Sequence, residues 1–341
     1  MSTAYAVPAA WASEPEEASS DALARLTWYA SQARWAPSKH NSQPWRFIVT
    51  ETELEVWGDP SRLLVETDAH RRELVLSCGA VMHLAVVAAR AHGVVLRVRV
   101  LPDGAGGCVA RLIEAGLWAV TQRDRDLLAA VPRRRTDRGP LDAGDLPPSL
   151  AFELQHRAAE HGAELHLVAS PGARGSLADL VSRADRQLVR AGGADRELAE
   201  WTRGPGDTRS DGVPSDHTRG AAASYRAEYV QRDFSTPGST PAQDRPGPDR
   251  PVLAVLCTPG DAMRDHVQAG AALAAVLLEA TLAGASASYL NQPIEHAASR
   301  LLLREQLGLH GVPQLVLRLG RGGVVPPPPR RPQDELLFHS R

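Results

Sequence analysis

Apolar residues at Leu23, Leu26, Tyr29 and Ala30 recur at three- and four-residue spacing behind Asp21, which predicts a capped amphipathic helix over Ser20–Arg34. Pro37 stops it, and a polar loop, SKHNSQP, leads into two strand-like runs, Trp45–Val49 and Leu54–Trp57. Glu73–His92 is apolar on nearly every side after its first turn and reads as a buried helix. VVLRVRVLP and CVARLIEA, joined by the turn DGAGG, read as a hairpin. After Pro132 the pattern restarts, with a helix over Leu146–Glu160, a strand over Glu164–Val168 and a helix over Leu177–Val189. Gly, Pro, Ser, Asp and Arg then dominate from Trp201 to Arg250, too long for an ordinary connection, so this insert is expected to be a lid or a disordered segment. Order resumes with the strand VLAVLC, an apolar helix over Asp265–Leu282, and the strands SASYL and PQLVLRL.

Glycines at matched spacing bracket the two most apolar helices, Gly79 and Gly93 the first, Gly270 and Gly284 the second. Internal duplication explains this. So does convergence, since two closely packed helices both require small residues. The repeated order of helix, strand and buried helix around each copy favours duplication.

Composition narrows the function. The 341 residues suit two domains. A formal charge of −2 gives no general pull toward nucleic acid or anionic membrane, so the expected partner is a small molecule. Cys78, Cys108 and Cys257 have neither disulfide-framework nor zinc spacing, which fits a reducing, cytoplasmic setting. No apolar run reads as a membrane span, residues 1–19 read as a disordered arm rather than a signal peptide, and no metal site is expected. There is no GxSxG elbow and no Walker-type loop; DGAGG leads into a strand and so is no dinucleotide fingerprint. His156, His161 and His166 straddle a helix-to-strand junction and would not share a face for metal binding.

Two segments concentrate polar chemistry. APSKHNSQPWRF, Ala36–Phe47, sets hydroxyls and amides on a proline-stiffened loop, suited either to an aromatic heterocycle or to satisfying its own turn. RRRTDR, Arg133–Arg138, can hold a phosphate by charge-assisted hydrogen bonds, and is otherwise a solvated basic turn. Arg330 and Arg331 follow a polyproline spacer, Pro326–Pro329, and without further context are equally an exposed tail.

APSKHNSQPWRF resembles the signature segment of the nitroreductase-like flavoproteins, whose chains fold as α+β domains and dimerise with FMN at the interface. RRRTDRGP, DGVP at Asp211–Pro214 and PPPPRRPQDELLFHSR resemble, in the same order, segments of the Acg-type subgroup found in actinobacteria. The resemblance implies an α+β, nitroreductase-like fold in two tandem half-domains, residues 20–130 and 131–341 with the insert at about 201–250. Together these would form an intramolecular pseudo-dimer, so that the chain need not dimerise. It implies FMN held by Pro37, Ser38, Lys39, Asn41 and Gln43 from the loop. Arg134, Thr136 and Arg138, with Arg330 and Arg331, would take its phosphate. The main chain at Glu295 and His296 would approach flavin N5, neither residue acting as acid or base. A second, symmetry-related site would be degenerate. Lys39, the chain's single lysine, departs from the small or apolar residue usual at its place and either adds a cation beside the flavin or faces solvent. The implied activity is hydride transfer from NAD(P)H through FMN to an electron-poor acceptor, a nitro compound or quinone. The alternative is an FMN storage protein whose lid blocks the flavin.

Overall fold

A computed structural model describes residues 21–104, 106–144, 146–215, 229–232, 234 and 249–339. The expected N-terminal arm and most of the insert, 216–228, 233 and 235–248, lie outside them.

The described chain opens with α1 (Ala22–Ala33), whose first turn is capped by the Asp21 carboxylate accepting from Leu23 N, and which buries Leu26, Tyr29, Ala30 and Ala33. β1 (Trp45–Val49) and β2 (Glu53–Gly58) pair antiparallel, Phe47 opposite Val56. α2 (Arg72–Ala91) follows. Its first turn is held by Asp68, whose two carboxylate oxygens accept from Glu73 N and Leu74 N, each at 2.9 Å. α2 has a mean hydropathy of 1.8 over an 18-residue window and is long enough to cross a membrane, but 78% of that window is buried within the fold, as befits a core helix. β3 (Val94–Val100) and β4 (Cys108–Leu117) form the expected hairpin, and α3 (Gln122–Ala130) closes the segment.

In the second stretch, α4 spans Leu150–Ala159. It begins later than the pattern suggested because Pro147 and Pro148 disfavour helical geometry in the residues before them. α5 (Pro171–Ala191) begins earlier than the apolar pattern, with Pro171 in its first turn and Ser170 Oγ accepting from Ala173 N at 3.2 Å. β5 (Glu164–Leu167) precedes it, and α6 (Gly193–Glu200), β6 (Thr202–Arg203) and β7 (Val213–Pro214) follow. β8 (Val252–Thr258), α7 (Met263–Leu282) and β9 (Ser286–Tyr289) lead to α8 (Gln292–Glu295), α9 (Ala297–Gln306) and β10 (Val312–Gly320). α10 (Gln333–Leu336) and β11 (Leu337–His339) end the described chain.

The protein is α+β. One sheet has the order β11-β1-β2-β4-β3 and another β5-β8-β10-β9, while β6 and β7 form a separate two-stranded pair. β11 runs parallel to β1, Phe47 opposite Leu337, so the C-terminal residues of 131–341 join the sheet built from 20–130. Between the large sheets, α2 and α7 cross. α7 gives Val267, Ala271, Ala274 and Leu278 to the core under the first sheet, and Ala272, Leu273, Val276 and Leu277 to the core of the second. A further apolar cluster fills the second sheet's other face, including Leu177, Val181, Leu290 and Leu303.

The crossing is a backbone approach. A Cβ on Gly79 would run into the Val267 carbonyl, and one on Gly270 into the Leu76 carbonyl and the Ala80 amide. Gly175, inside α5, has open space where its Cβ would go. Gly270→Ala is therefore expected to destabilise the protein by about 3 kcal/mol, whereas Gly175→Ala stabilises it by about 0.5–1 kcal/mol. Urea unfolding of the two variants against the parent checks both signs.

Candidate active site

The loop between α1 and β1 is held in an unfavourable backbone. His40, Asn41 and Gln43 have φ of 50°, 54° and 50°, in the left-handed region that side chains resist, at about 1 kcal/mol or more each. Local and remote bonds hold it there. Ser38 Oγ accepts from Gln43 N at 2.9 Å. Asn41 Nδ2 donates to the carbonyls of Gly212 and Pro329, both at 3.0 Å, and its Oδ1 accepts from Arg330. Gln43 Nε2 donates to Ser210 O at 2.9 Å, and its Oε1 accepts from Arg331 N at 2.8 Å. Two amides thus fasten the loop to the insert and to the C-terminal tail.

This loop forms one wall of a cleft. The cleft, with about 850 Å3 of open space, is lined by Pro37–His40, by Glu73, Leu76 and Ser77 of α2, and by Leu273 of α7. Its opposite side is built from Thr136, Arg138, Ser288, Tyr289, Asn291 and Glu295, with Arg232 and Phe234 from the insert. Phe234 lines the cavity, its ring 4.8 Å from the Arg138 guanidinium and 5.8 Å from the His40 ring. Through Pro37, Ser38, Thr136 and Arg138, the cavity continues into a smaller one of about 430 Å3. There Arg134, Arg135 and Arg330 meet Gly212–Pro214.

The two ends differ in charge balance. In the larger cavity every full charge near the floor has a partner. Lys39 Nζ is 3.0 Å from Glu295 and 3.8 Å from Glu73, and donates to Thr67 O at 3.0 Å. Arg232 also pairs with Glu295, and Arg72 with Glu73 at 2.7 Å. Burial opposes ionisation of Glu295, but Arg232 and Lys39 outweigh it and hold its carboxyl below the usual range. Asp68 is pushed up to about 6, by burial and then by Glu73. His40 is pushed well below 6.5, by burial and then by Arg232, Lys39 and Arg138.

In the smaller cavity the cations are uncompensated. Arg134, Arg135, Arg138 and Arg330 make no ion pair with a carboxylate among the described residues. Nε and Nη1 of Arg134, and Nε of Arg330, are buried without a hydrogen-bond partner. Burial, then mutual repulsion, lowers Arg330 well below its ordinary pKa, and burial takes Arg138 to about 10. Tyr289 Oη is likewise buried without a partner. Such a set is completed by a ligand anion with several acceptor oxygens. The strand-like segment carrying it is fixed by Asp137 N donating to Ala287 O at 2.9 Å, beside β9.

Of the residues expected at the site, Pro37, Ser38, Lys39, Asn41, Arg134, Thr136, Arg138 and Arg330 line this cleft. Four expectations need correction. Gln43 lines neither cavity, because its amide is consumed in bracing the loop. Arg331 also stays outside, with its guanidinium on Glu335 at 3.2 Å and on the Gln43 and Trp45 carbonyls. The Glu295 amide is spent within its turn, donating to Asn291 O at 3.2 Å, and what it presents to the cavity is its carboxylate. His296 is exposed and outside the lining. Lys39 does not face solvent; it is buried in the ion pairs. Tyr289, Glu73, Arg232 and Phe234 were missed. Tyr289, beside Asn291, had a usable signal in being one of five tyrosines, but the insert's irregular sequence offered none for Arg232 or Phe234. Among the described residues, no group of three or more His, Cys, Asp or Glu side chains could hold a metal.

No protein-family model matches the chain. Two proteins of Mycobacterium tuberculosis (strain ATCC 25618 / H37Rv) that carry the name "Putative NAD(P)H nitroreductase" do resemble it. Rv3131 is 34% identical over 308 residues, 89% of this chain and 88% of the relative. The protein acg is 33% identical over 312 residues, 90% and 92% of the two lengths. A third protein of that strain, "Uncharacterized protein Rv3127", is 30% identical over 311 residues, 89% of each. Identity of this level over nearly the full length makes the chain a member of the nitroreductase-like oxidoreductase family. Within that family it belongs to the Acg type.

Two measurements probe the electrostatics. His40 has a folded-state pKa below its unfolded value, so its contribution to stability is present above about pH 6.5 and is lost on acidification. His40→Gln should flatten the stability decline between about pH 6.5 and 5 by up to about 1.4 kcal/mol per pH unit, read by urea unfolding. Arg134→Met should raise the stability of anion-free protein by about 1–3 kcal/mol, by removing an unpaired buried charge, and should abolish stabilisation by added phosphate.

Proposed function

We propose that the chain binds FMN in this cleft and transfers hydride from NAD(P)H to an electron-poor acceptor, a nitro compound or a quinone. The observation carrying the reading is the buried guanidinium cluster with orphaned N–H groups, opening directly into a mainly apolar cavity of ring-binding size. Arg134, Arg135, Arg138 and Arg330 would hold the phosphate, with the Thr136 hydroxyl beside them. The loop at Pro37–Lys39 would pack on the ring, with Leu76 and Leu273 beneath it.

When bound, FMN supplies the hydride-exchanging N5. The chain's own residues position and insulate. The Lys39–Glu295 pair presents a fixed dipole rather than a net charge to the ring cavity. Tyr289 Oη, buried without a hydrogen-bond partner among the described residues, offers one more donor. Leu76, Leu273 and Phe234 exclude water and so strengthen each of these interactions. In this reading the α2–α7 crossing is the internal counterpart of a dimer interface, and a monomer with one complete site suffices.

Phe234 and Arg232 favour a second reading, storage of FMN under a cover. Both line the cavity, and Arg232 pairs there with Glu295. An absorbance spectrum of the purified protein separates the readings. A yellow protein bleached anaerobically by NADPH supports the reductase; a yellow protein that NADPH leaves unchanged supports storage. Colourless protein that fails to take up added FMN overturns both. Arg134→Ala is expected to raise the Kd for FMN roughly ten- to hundred-fold, and unchanged affinity by fluorescence titration would count against the phosphate assignment.

A further inference from the structure

We propose that a second cavity, enclosed by α2, α3, α4 and α7, binds a planar aromatic carboxylate. Its open space, about 1140 Å3, exceeds that of the cleft described above. The two are separate. Leu273 of α7 faces the first and Ala275 the second, and residues two apart on a helix point in nearly opposite directions. The inference therefore does not depend on the FMN reading.

The chemistry of the walls selects the ligand. Val86, Val87, Leu127 and Ala275 supply apolar surface. His83 and His161 meet edge to face, ring centroids 4.7 Å apart, and burial lowers both below their ordinary pKa, so they present neutral aromatic rings. At the rim, Trp118 is 36% exposed and has the Arg90 guanidinium 4.7 Å from its ring centre. Flat aromatic walls of this kind favour a flat ring over an aliphatic chain.

The charges leave one position open. Arg123 and Arg157 both pair with Glu279, and Arg157 also with Glu160 at 2.8 Å. Asp124 is spent in its helix cap, accepting from Thr121 N at 2.8 Å and Trp118 Nε1 at 3.1 Å. Among the charged lining residues, only Arg90 has neither an ion-pair nor a hydrogen-bond partner within the described residues. Arg90, stacked on Trp118 and close enough for its charge to lower the Asp124 pKa, still has its hydrogen-bond donors unassigned among the described residues, and one such guanidinium beside an aromatic cavity matches one carboxylate. A phosphate would call for more cations, as the other cleft provides, and a cationic ligand would face three arginines.

Benzoate is the probe. Calorimetry on the purified full chain, with and without saturating FMN, should find one benzoate per chain and no competition by FMN. Cyclohexanecarboxylate and benzyl alcohol should each bind at least several-fold more weakly, for want of the flat ring or of the charge. Arg90→Gln, at an exposed position, should weaken benzoate roughly tenfold. Val86→Trp, which fills the cavity, should abolish binding, and Arg134→Ala should leave it unchanged. Indole and imidazole NMR resonances of Trp118, His83 and His161 should shift with benzoate in the parent protein. The proposal is overturned if the parent protein does not bind benzoate. It is equally overturned if FMN displaces the probe, or if folded Arg90→Gln and Val86→Trp both bind it like the parent.

Discussion

The rest of the structure depends on how closely α2 and α7 approach. Gly79 lies against the Val267 carbonyl, and Gly270 against the Leu76 carbonyl and Ala80 amide, so each helix removes a Cβ where the other's backbone passes. The contact is reciprocal. It brings the N-terminal half of α2, with Glu73, Leu76 and Ser77, to the same cavity as Leu273 of α7. It also lets one helix pair serve two cores, since α7 contributes to both and Leu76 of α2 packs into the second. Side chains at the crossing would move the helices apart and open the cleft floor before altering any residue that touches a ligand. Gly93 and Gly284 then end the two helices with φ of 77° and 75°, conformations that glycine adopts without strain.

On that scaffold the cleft separates two electrostatic tasks. Near Lys39, opposite charges are buried together, so desolvation is offset within the protein and the site is complete without a ligand. Near Arg134 and Arg330, like charges are buried together, and the offset has to come from outside. An anion that satisfies them contributes its binding energy directly to folding stability, because it binds only the folded arrangement. Stability and retention of such an anion are therefore expected to move together. The Lys39 end, where each cation has a carboxylate partner within the protein, does not depend on an outside anion, although removing one member of a pair there would leave the other buried and unpaired.

Elements followed from periodicity, because burial of one helix face or one sheet face leaves a regular trace in the sequence. α1, β1, α2, β8 and α7 are the clear cases. The glycine spacing was legible as well, and it has two physical causes: Gly79 and Gly270 are demanded by close packing, Gly93 and Gly284 by the left-handed backbone at the helix ends. What failed were inferences about side-chain direction. Gln43 sits two residues from Asn41 in the same motif, yet it points to the tail and not into the cleft. Arg330 and Arg331 are adjacent and equally basic, and the backbone sends one toward the anion end and the other toward Glu335. Motif membership identifies the segment near a ligand, whereas the tertiary partners decide which of its atoms are free. Phe234 and Arg232 had no periodic or motif signal, because each is ordered by what it packs on.

The loop at Pro37–Trp45 shows why local sequence was insufficient. Three of its residues hold left-handed backbone without being glycine, a conformation the segment would not keep alone. The compensating bonds come from Ser210, Gly212, Pro329, Arg330 and Arg331, more than 160 residues away in the chain. The loop therefore reaches its final shape only after the insert and the C-terminal tail have docked. β11 pairing with β1 brings that tail to the same edge. Contacts of such long sequence separation form late, since the entropy of closing the chain must be met first. The wall of the cleft and its anion end therefore depend on the same long-range contacts, so that releasing the C-terminal tail would disturb both together.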